Sequence, residues 1–344
     1  MLLVPPSAEY AKYIDLKVLC LLFCLMAVVV GLQECGLFRV LAQKLLAGRK
    51  GFRFISLILV LLPFFCSMLI TNDVALITFV PFAILVLTMV DRSKEIIKTV
   101  VLQTMAANLG SMATPIGSPH NLFLHSFYKL SAGEFFSMMV PLTSISLIGL
   151  VAVVMFEKDK VISVHFEQKE HLKNSKLLVM FIGLFLLCLM SVFNVLSFWI
   201  PTAVVLLSML IFSRKLLKKV DYSLLLTFVC FFVFVGNISQ VPLVRDYLSG
   251  LLGENALMTT ILASQVISNV PAAVLLSGFT DDWKSLLIGT NIGGLGTPIA
   301  SLASLISLRI YNRSEGARTM YYLGVFTLAN IIGMAMLLIF AWLI

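Results

Sequence analysis

The stretch Asn108-Leu-Gly-Ser-Met-Ala-Thr-Pro-Ile-Gly-Ser118 returns in the other half of the chain as Asn291-Ile-Gly-Gly-Leu-Gly-Thr-Pro-Ile-Ala-Ser301. Asparagine, glycine, threonine, proline, isoleucine and serine hold the same places in both copies. Pro115, Pro298 and the glycines at 110, 117, 293, 294 and 296 prevent a continuous helix through either copy. Two further pairs keep the same order. Ile14-Asp15-Leu16 and an apolar run to Gly31 are echoed by Val220-Asp221-Tyr222 and a run to Gly236, and Ile70-Thr71-Asn72-Asp73 is echoed by Ile267-Ser268-Asn269-Val270. Chance similarity among apolar segments would not preserve asparagine, threonine and proline in sequence, so two repeats are expected.

The surroundings of these motifs set the solvent. Of 344 residues, 60% are hydrophobic and 12% charged, against about 25% charged in a soluble domain. A soluble fold near this length buries about 75% of its surface, too little to hide so much apolar area. A soluble enzyme, a secreted disulfide scaffold and a disordered chain are therefore excluded, and the expected class is an all-α polytopic membrane protein. A ruler of about 20 apolar residues marks segments near 17–37, 53–70, 71–90, 98–128, 135–156, 177–194, 196–213, 222–240, 256–279, 285–308 and 320–343, of which 98–128, 256–279 and 285–308 are interrupted. The polar stretch 157–176 reads as a solvated linker carrying ordinary exposed histidines, His165 and His171. It separates a first repeat (1–156) from a second repeat with connecting helices (177–344).

Charge then orients the repeats. Placing the loops around Arg39–Arg53, Arg92–Lys98, 157–176, Arg214–Lys219 and Arg309–Arg318 on one face leaves only Lys12, Lys17, Lys129, Arg245 and Lys284 of the 25 basic residues elsewhere. By the positive-inside rule that face and the linker are cytoplasmic, and the two halves run in opposite orientations, as in many secondary transporters. The net charge of +8 is thus read as topology, with no nucleic acid implied. Cys20, Cys24, Cys35, Cys66, Cys188 and Cys230 lack paired spacing and read as packing residues. No signal peptide is expected, because Met1–Leu3 is too short for an apolar core and Pro5-Pro6 follows it.

Both repeats set polar groups where lipid should be. Ser67-Met-Leu-Ile-Thr-Asn-Asp73 and Ser264-Gln-Val-Ile-Ser-Asn-Val-Pro271 interrupt apolar runs, which is costly unless partners or water meet them. Hairpins that dip into the membrane and turn at Thr71-Asn72 and Ser268-Asn269 are expected, each facing a broken helix. Freed carbonyls in such a break can hold a cation, and half-helix N-termini favour an anion. Substrate or ion contacts are accordingly expected at Thr71, Asn72, Asp73, Asn108, Gly110, Thr114, Ser118, Asn121, Ser268, Asn269, Asn291, Gly293, Thr297 and Ser301. Among 17 carboxylates Asp73 alone sits well inside an apolar region, a functional signal by default. His120 could bind substrate or cap the break, His125 reads as structural, and Arg245 with Asp246 reads as an exposed loop pair.

At these motifs the chain resembles the ion-transporter superfamily of arsenite permeases, citrate transporters, D-type sodium/proton antiporters and divalent-anion:sodium symporters. The resemblance rests on Ile70–Ala75, Ala107–Asn121, Ser268–Ala272 and Asn291–Ser301. It implies a cell-membrane secondary transporter of a small anion (a di- or tricarboxylate or an inorganic oxyanion), coupled to sodium or protons through an elevator-like motion, with no other cofactor. Hairpin-tip Ser-Asn-Thr motifs of the symporters bind sodium and carboxylates, which implicates Thr71 and Asn72, and Ser268 and Asn269, as sodium sites. Asp73 stands in the third position of the first tip and could complete its site. Val270 stands there in the second, so the final threonine is missing twice, and the Asn-Asp pair looks more like the permease and antiporter branches. Those branches usually carry extra N-terminal spans, so one early helix is expected to be absent. The related symporters are dimers, which makes a homodimer an expectation.

A sodium/proton antiporter using Asp73 is the nearest competing reading. A passive channel is the alternative from another class, although channels usually carry rings of filter residues. An enzyme is not expected, since no HExxH motif and no second buried aspartate accompany Asp73.

Overall fold

The computed structural model describes residues 10–157, 159–164, 166 and 169–343; Met1–Leu3, Pro5, Pro6 and His165 lie outside these, as do Lys158 and Glu167 of the linker. The chain opens with a short turn α1 (Tyr10–Tyr13), then α2 (Leu16–Glu34) and α3 (Leu37–Leu46). The first helical hairpin is α4 (Phe52–Ser67) and α5 (Asn72–Met89), and the first broken helix is α6 (Ile96–Ser111) and α7 (Pro119–Phe127). Next come α8 (Ala132–Met155), α9 (Ser175–Val192), α10 (Trp199–Phe212) and a turn α11 (Arg214–Leu217). The second half continues with α12 (Tyr222–Ile238), α13 (Pro242–Ile267), α14 (Asn269–Ser277), α15 (Trp283–Gly293), α16 (Leu302–Asn312) and α17 (Thr319–Leu343).

Helix starts follow the local chemistry. Asp15 and Asp221, paired in the sequence comparison, both cap their helices, accepting from Val18 N and Leu224 N at 3.0 Å. Ser131 and Glu134 form a reciprocal box at the start of α8. Gly36, at φ +80°, turns the chain from α2 into α3, a conformation that glycine adopts without steric cost.

Five helices (α2, α5, α8, α9 and α17) are long and apolar enough to cross a membrane, and α12 with α13 makes a sixth candidate bent by 103°. The protein is a helical membrane protein. The hairpins, the broken helices, α8 and α17 pack together, while α2 packs with α9 and α10 beside them and α12 touches both α2 and α14.

The structure corrects three expectations. The segment expected from 256 is helical from Pro242, because a more polar stretch with proline at its first turn leads into it; Asn255 leaves helical geometry there and recaps the chain at Met258 N. Arg245 and Asp246 therefore sit side by side on exposed helix rather than in a loop, and neighbours one apart diverge around a helix. The linker is also less solvated than expected. A strand, β2 (Val161–Val164), pairs antiparallel with β1 (Gly48–Gly51), Phe166 stacks on Phe82, and buried Glu157 holds Lys98 at 2.8 Å.

Candidate functional site

Each hairpin turns where its polar residues interrupt the apolar run. In the first, residues 68–71 join α4 to α5, and Thr71 sits at the N-cap without a side-chain cap bond. Buried Asn72 donates to Asn108 Oδ1 at 2.9 Å, and its own oxygen accepts from Asp73 N at 3.0 Å. In the second, Ser268 alone separates α13 from α14, at φ +74°. Its hydroxyl donates to Ala300 O at 3.2 Å.

The breaks at residues 112–118 and 294–301 meet these turns through matching bonds. Asn72 N donates to Gly117 O at 3.2 Å, and Asn269 N to Ala300 O at 2.9 Å. Thr114 Oγ1 donates to Met68 O at 2.5 Å, and Thr297 Oγ1 to Gln265 O at 3.2 Å. Close approach recurs too. A Cβ on Gly110 would lie 2.0 Å from Phe64 O, and one on Gly293 would lie 2.7 Å from Ser264 Cβ. Side-chain satisfaction differs, however. Gln265 Nε2 donates to Gly293 O and Leu295 O, both at 2.8 Å, and its Oε1 accepts from Thr297 N, whereas Met68 holds the corresponding place in the first turn and cannot do this.

The two breaks are sewn to each other by buried amides. Asn108 accepts from Ser301 Oγ at 3.2 Å and donates to Ser304 Oγ at 3.4 Å. Asn291 donates to Asn121 Oδ1 at 2.7 Å and accepts from Asn121 Nδ2 at 3.3 Å. His120 Nε2 lies 3.4 Å from Ser118 Oγ and 3.3 Å from Asn291 Oδ1, and its Nδ1 has no partner among the described residues. His125 instead meets Phe135 and Phe193 edge-on, a packing arrangement.

A cavity of about 180 Å³ opens beside the first tip. Thr71, Asp73 and Ser118 line it on one side; an apolar face of α2 from Leu22 to Val30, ending in Gln33, lines it on the other. Gln33 Nε2 donates to Thr78 Oγ1 at 3.0 Å and to Val74 O at 3.4 Å, tying α2 to α5. Lys219 and Asp221 also line it, and Lys219 is held by Glu34 at 2.5 Å, which Lys173 of the linker also approaches at 3.7 Å.

Of the residues expected from sequence, Thr71, Asp73 and Ser118 face this cavity. Asn72, Asn108, Thr114, Asn121, Asn291, Thr297 and Ser301 spend their polar groups on the turn-to-break and break-to-break bonds, while Gly110 and Gly293 permit close helix contact. Ser268 and Asn269 occupy the second tip, away from the lining of this cavity. Gln33, Lys219 and Asp221 were not anticipated as cavity residues. Lys219 and Asp221 were legible only as a topology charge and a repeat marker, and a single helix-end glutamine carries no pattern. Among the described residues no group of three or more His, Cys, Asp or Glu side chains is placed to hold a metal ion, and the six cysteines are free.

Comparison with known proteins places this architecture. The family model described as "Citrate transporter" matches residues 1–280. "Uncharacterized transporter MJ0456" of Methanocaldococcus jannaschii is 33% identical over 306 residues, covering 88% of this chain and 83% of the relative. "Inner membrane protein YbiR" of Escherichia coli strain K12 is 29% identical over 303 residues, covering 87% and 81%. "Silicon efflux transporter LSI3" of Oryza sativa subsp. japonica is 31% identical over 128 residues, covering 37% of this chain and 26% of the relative. With a family match across most of its length, the chain belongs to the citrate transporter family, CitMHS, and is a membrane transporter rather than an enzyme.

Proposed function

We propose that the protein is a secondary active transporter of a small anion, driven by sodium or protons. The observation that carries this reading is the cavity in which the hairpin tip, Thr71 and Asp73, meets the N-terminus of the second half of the broken helix, Ser118. Two helix N-termini, those of α5 and α7, meet there, which favours negative charge. Asp73 and Asp221 oppose it, and Lys219 is already engaged by Glu34. An anion therefore enters at acceptable electrostatic cost only when a cation or proton arrives with it, which makes coupling a consequence of the charge count. The cavity's about 180 Å³ is below the roughly 300–1,000 Å³ of drug-sized pockets, so a short carboxylate or an inorganic oxyanion fits this reading. The rice relative is named for silicon efflux, and silicic acid, which is uncharged near neutral pH, serves as the neutral comparison to the anions.

In this reading the hairpins are re-entrant and belong to inverted repeats, 1–156 and 177–344, with the linker 157–176 on the cytoplasmic side of the cell membrane. The recurrence of the turn-to-break bonds at equivalent positions supports it. The apolar face of α2 from Leu22 to Val30 supports an elevator-like displacement, since such a surface slides without stranding hydrogen bonds and only the Gln33 bonds to Val74 and Thr78 have to be exchanged. Sodium at Thr71, Asn72 and Asp73 meets no side-chain amide on the first break's carbonyls, since Met68 stands there, whereas in the second turn a cation at Ser268 and Asn269 competes with Gln265 for Gly293 O and Leu295 O. A homodimer accompanies this reading.

Thermal stability of the purified protein with succinate, citrate, sulfate, arsenite or silicic acid, each in sodium or choline, tests it. A ligand at a hundredfold excess over its Kd adds about 2.7 kcal/mol. Stabilisation by one anion only in sodium, or only at acidic pH, supports symport. Stabilisation by sodium alone, with no anion adding to it, favours the antiporter reading, for which the Asp73–Asp221 lining is the specific observation.

A further inference from the structure

A second and larger depression, of about 570 Å³, lies between α3, α5 and the linker, and nothing in the transport reading uses it. Its two sides differ in chemistry. One carries Arg39 and Gln43 of α3 with Glu170 of the linker, and Glu170 N donates to Gln43 Oε1 at 2.6 Å. The other is an apolar wall along α5, formed by Ile77, Pro81, Leu85 and Met89, at the positions that share one helix face. Phe166 stacks on Phe82 at its edge. Arg39 and Glu170 are both exposed and line the same groove, yet neither forms an ion pair with a described residue. Among the described residues the groove therefore offers an unpaired cation and an unpaired anion facing the exposed hydrocarbon of α5.

We propose that this groove binds a zwitterionic aminophospholipid, its phosphate on Arg39, its primary ammonium on Glu170 and an acyl chain along α5. Guanidinium is the side chain best suited to phosphate, and an ammonium with N–H donors gains a charge-assisted bond from a carboxylate. The setting is amphipathic throughout. α3 exposes Leu41 and Leu45 beside Arg39 and Lys44, as a helix lying at a membrane surface does. An anionic headgroup would satisfy Arg39 but would be repelled by Glu170; a trimethylated one would bring charge with no donor. The inference requires only that the chain lies in a bilayer, so it stands or fails separately from the transport reading.

The test is thermal unfolding of the full chain, stripped of lipid in detergent and titrated with dioleoyl phosphatidylethanolamine, phosphatidylcholine or phosphatidylglycerol. Phosphatidylethanolamine is expected to raise Tm by about 3 °C, and phosphatidylcholine with the same chains by much less. Glu170→Gln, an exposed change, is expected to abolish that difference, and Arg39→Gln to weaken phosphatidylethanolamine by about tenfold. Equal stabilisation by phosphatidylethanolamine and phosphatidylcholine overturns the proposal, as does a difference that survives Glu170→Gln. Stabilisation by phosphatidylglycerol alone also overturns it, in favour of a diffuse basic surface. An equal shift from phosphoethanolamine lacking acyl chains overturns it in favour of a water-filled vestibule.

Discussion

Asn72 and Asn269 occupy equivalent turns but carry different loads. The Asn72 amide bridges to Asn108 and caps Asp73 N, so Asn72→Ala takes the side-chain acceptor from Asp73 N and leaves Asn108 Oδ1 with Ser301 as its donor, at a cost of about 1–3 kcal/mol. The Asn269 backbone holds Ala300, a bond that alanine retains. Uptake into proteoliposomes is expected to fall at least about tenfold in both variants, with Tm lowered more in Asn72→Ala than in Asn269→Ala. Normal uptake in both removes the hairpin tips from the site. Asp73 is a separate test, because it lines the cavity with Asp221 and its carboxylate accepts no hydrogen bond from a described residue. Asp73→Asn is expected to change the dependence of transport on sodium or pH. A variant whose uptake curves overlay those of the wild type makes Asp73 structural.

Among elements, the hairpin-to-break contacts decide stability. Gly110→Ala would drive a Cβ into the Phe64 carbonyl on α4, whereas Gly133→Ala meets nothing nearer than Ser131 Oγ at 4.0 Å. The first is expected to lower Tm by an amount corresponding to about 1–3 kcal/mol, and the second to leave it nearly unchanged. Ser268 is strained at φ +74°, so Ser268→Gly is expected to gain about 0.5–1 kcal/mol of stability while losing the hydroxyl bond to Ala300. If the serine hydroxyl also contacts the ion, uptake falls as Tm rises. These elements were legible beforehand because asparagine, threonine and proline recur where apolar runs should continue. The start of α13 was not, since its polar first turns resemble a loop, and neither was the β1–β2 pair, since Gly-Arg-Lys-Gly has little strand propensity and pairs across a long separation in sequence.

The cavity is a property of the whole molecule, and that is why sequence reading found one wall of it. Thr71, Asp73 and Ser118 announce themselves as polar residues in apolar surroundings; the facing wall is an ordinary apolar helix ending in Gln33. Only folding brings Lys219 and Asp221, far along the chain, to the same space. The break-to-break bonds carry the final consequence. Asn108 of the first half finds Ser301 and Ser304 in the second, and Asn291 of the second finds Asn121 in the first. A half-chain made alone would strand a buried amide, so neither half is expected to accumulate as a stable product. Coexpressed as separate polypeptides, 1–164 and 172–344 are expected to rescue one another and copurify. On the proposed inverted-repeat reading, an ancestor coding for one half would have worked as a pair of identical short chains, and fusion would have let the two partners diverge until one kept a methionine at position 68 and the other a glutamine at 265.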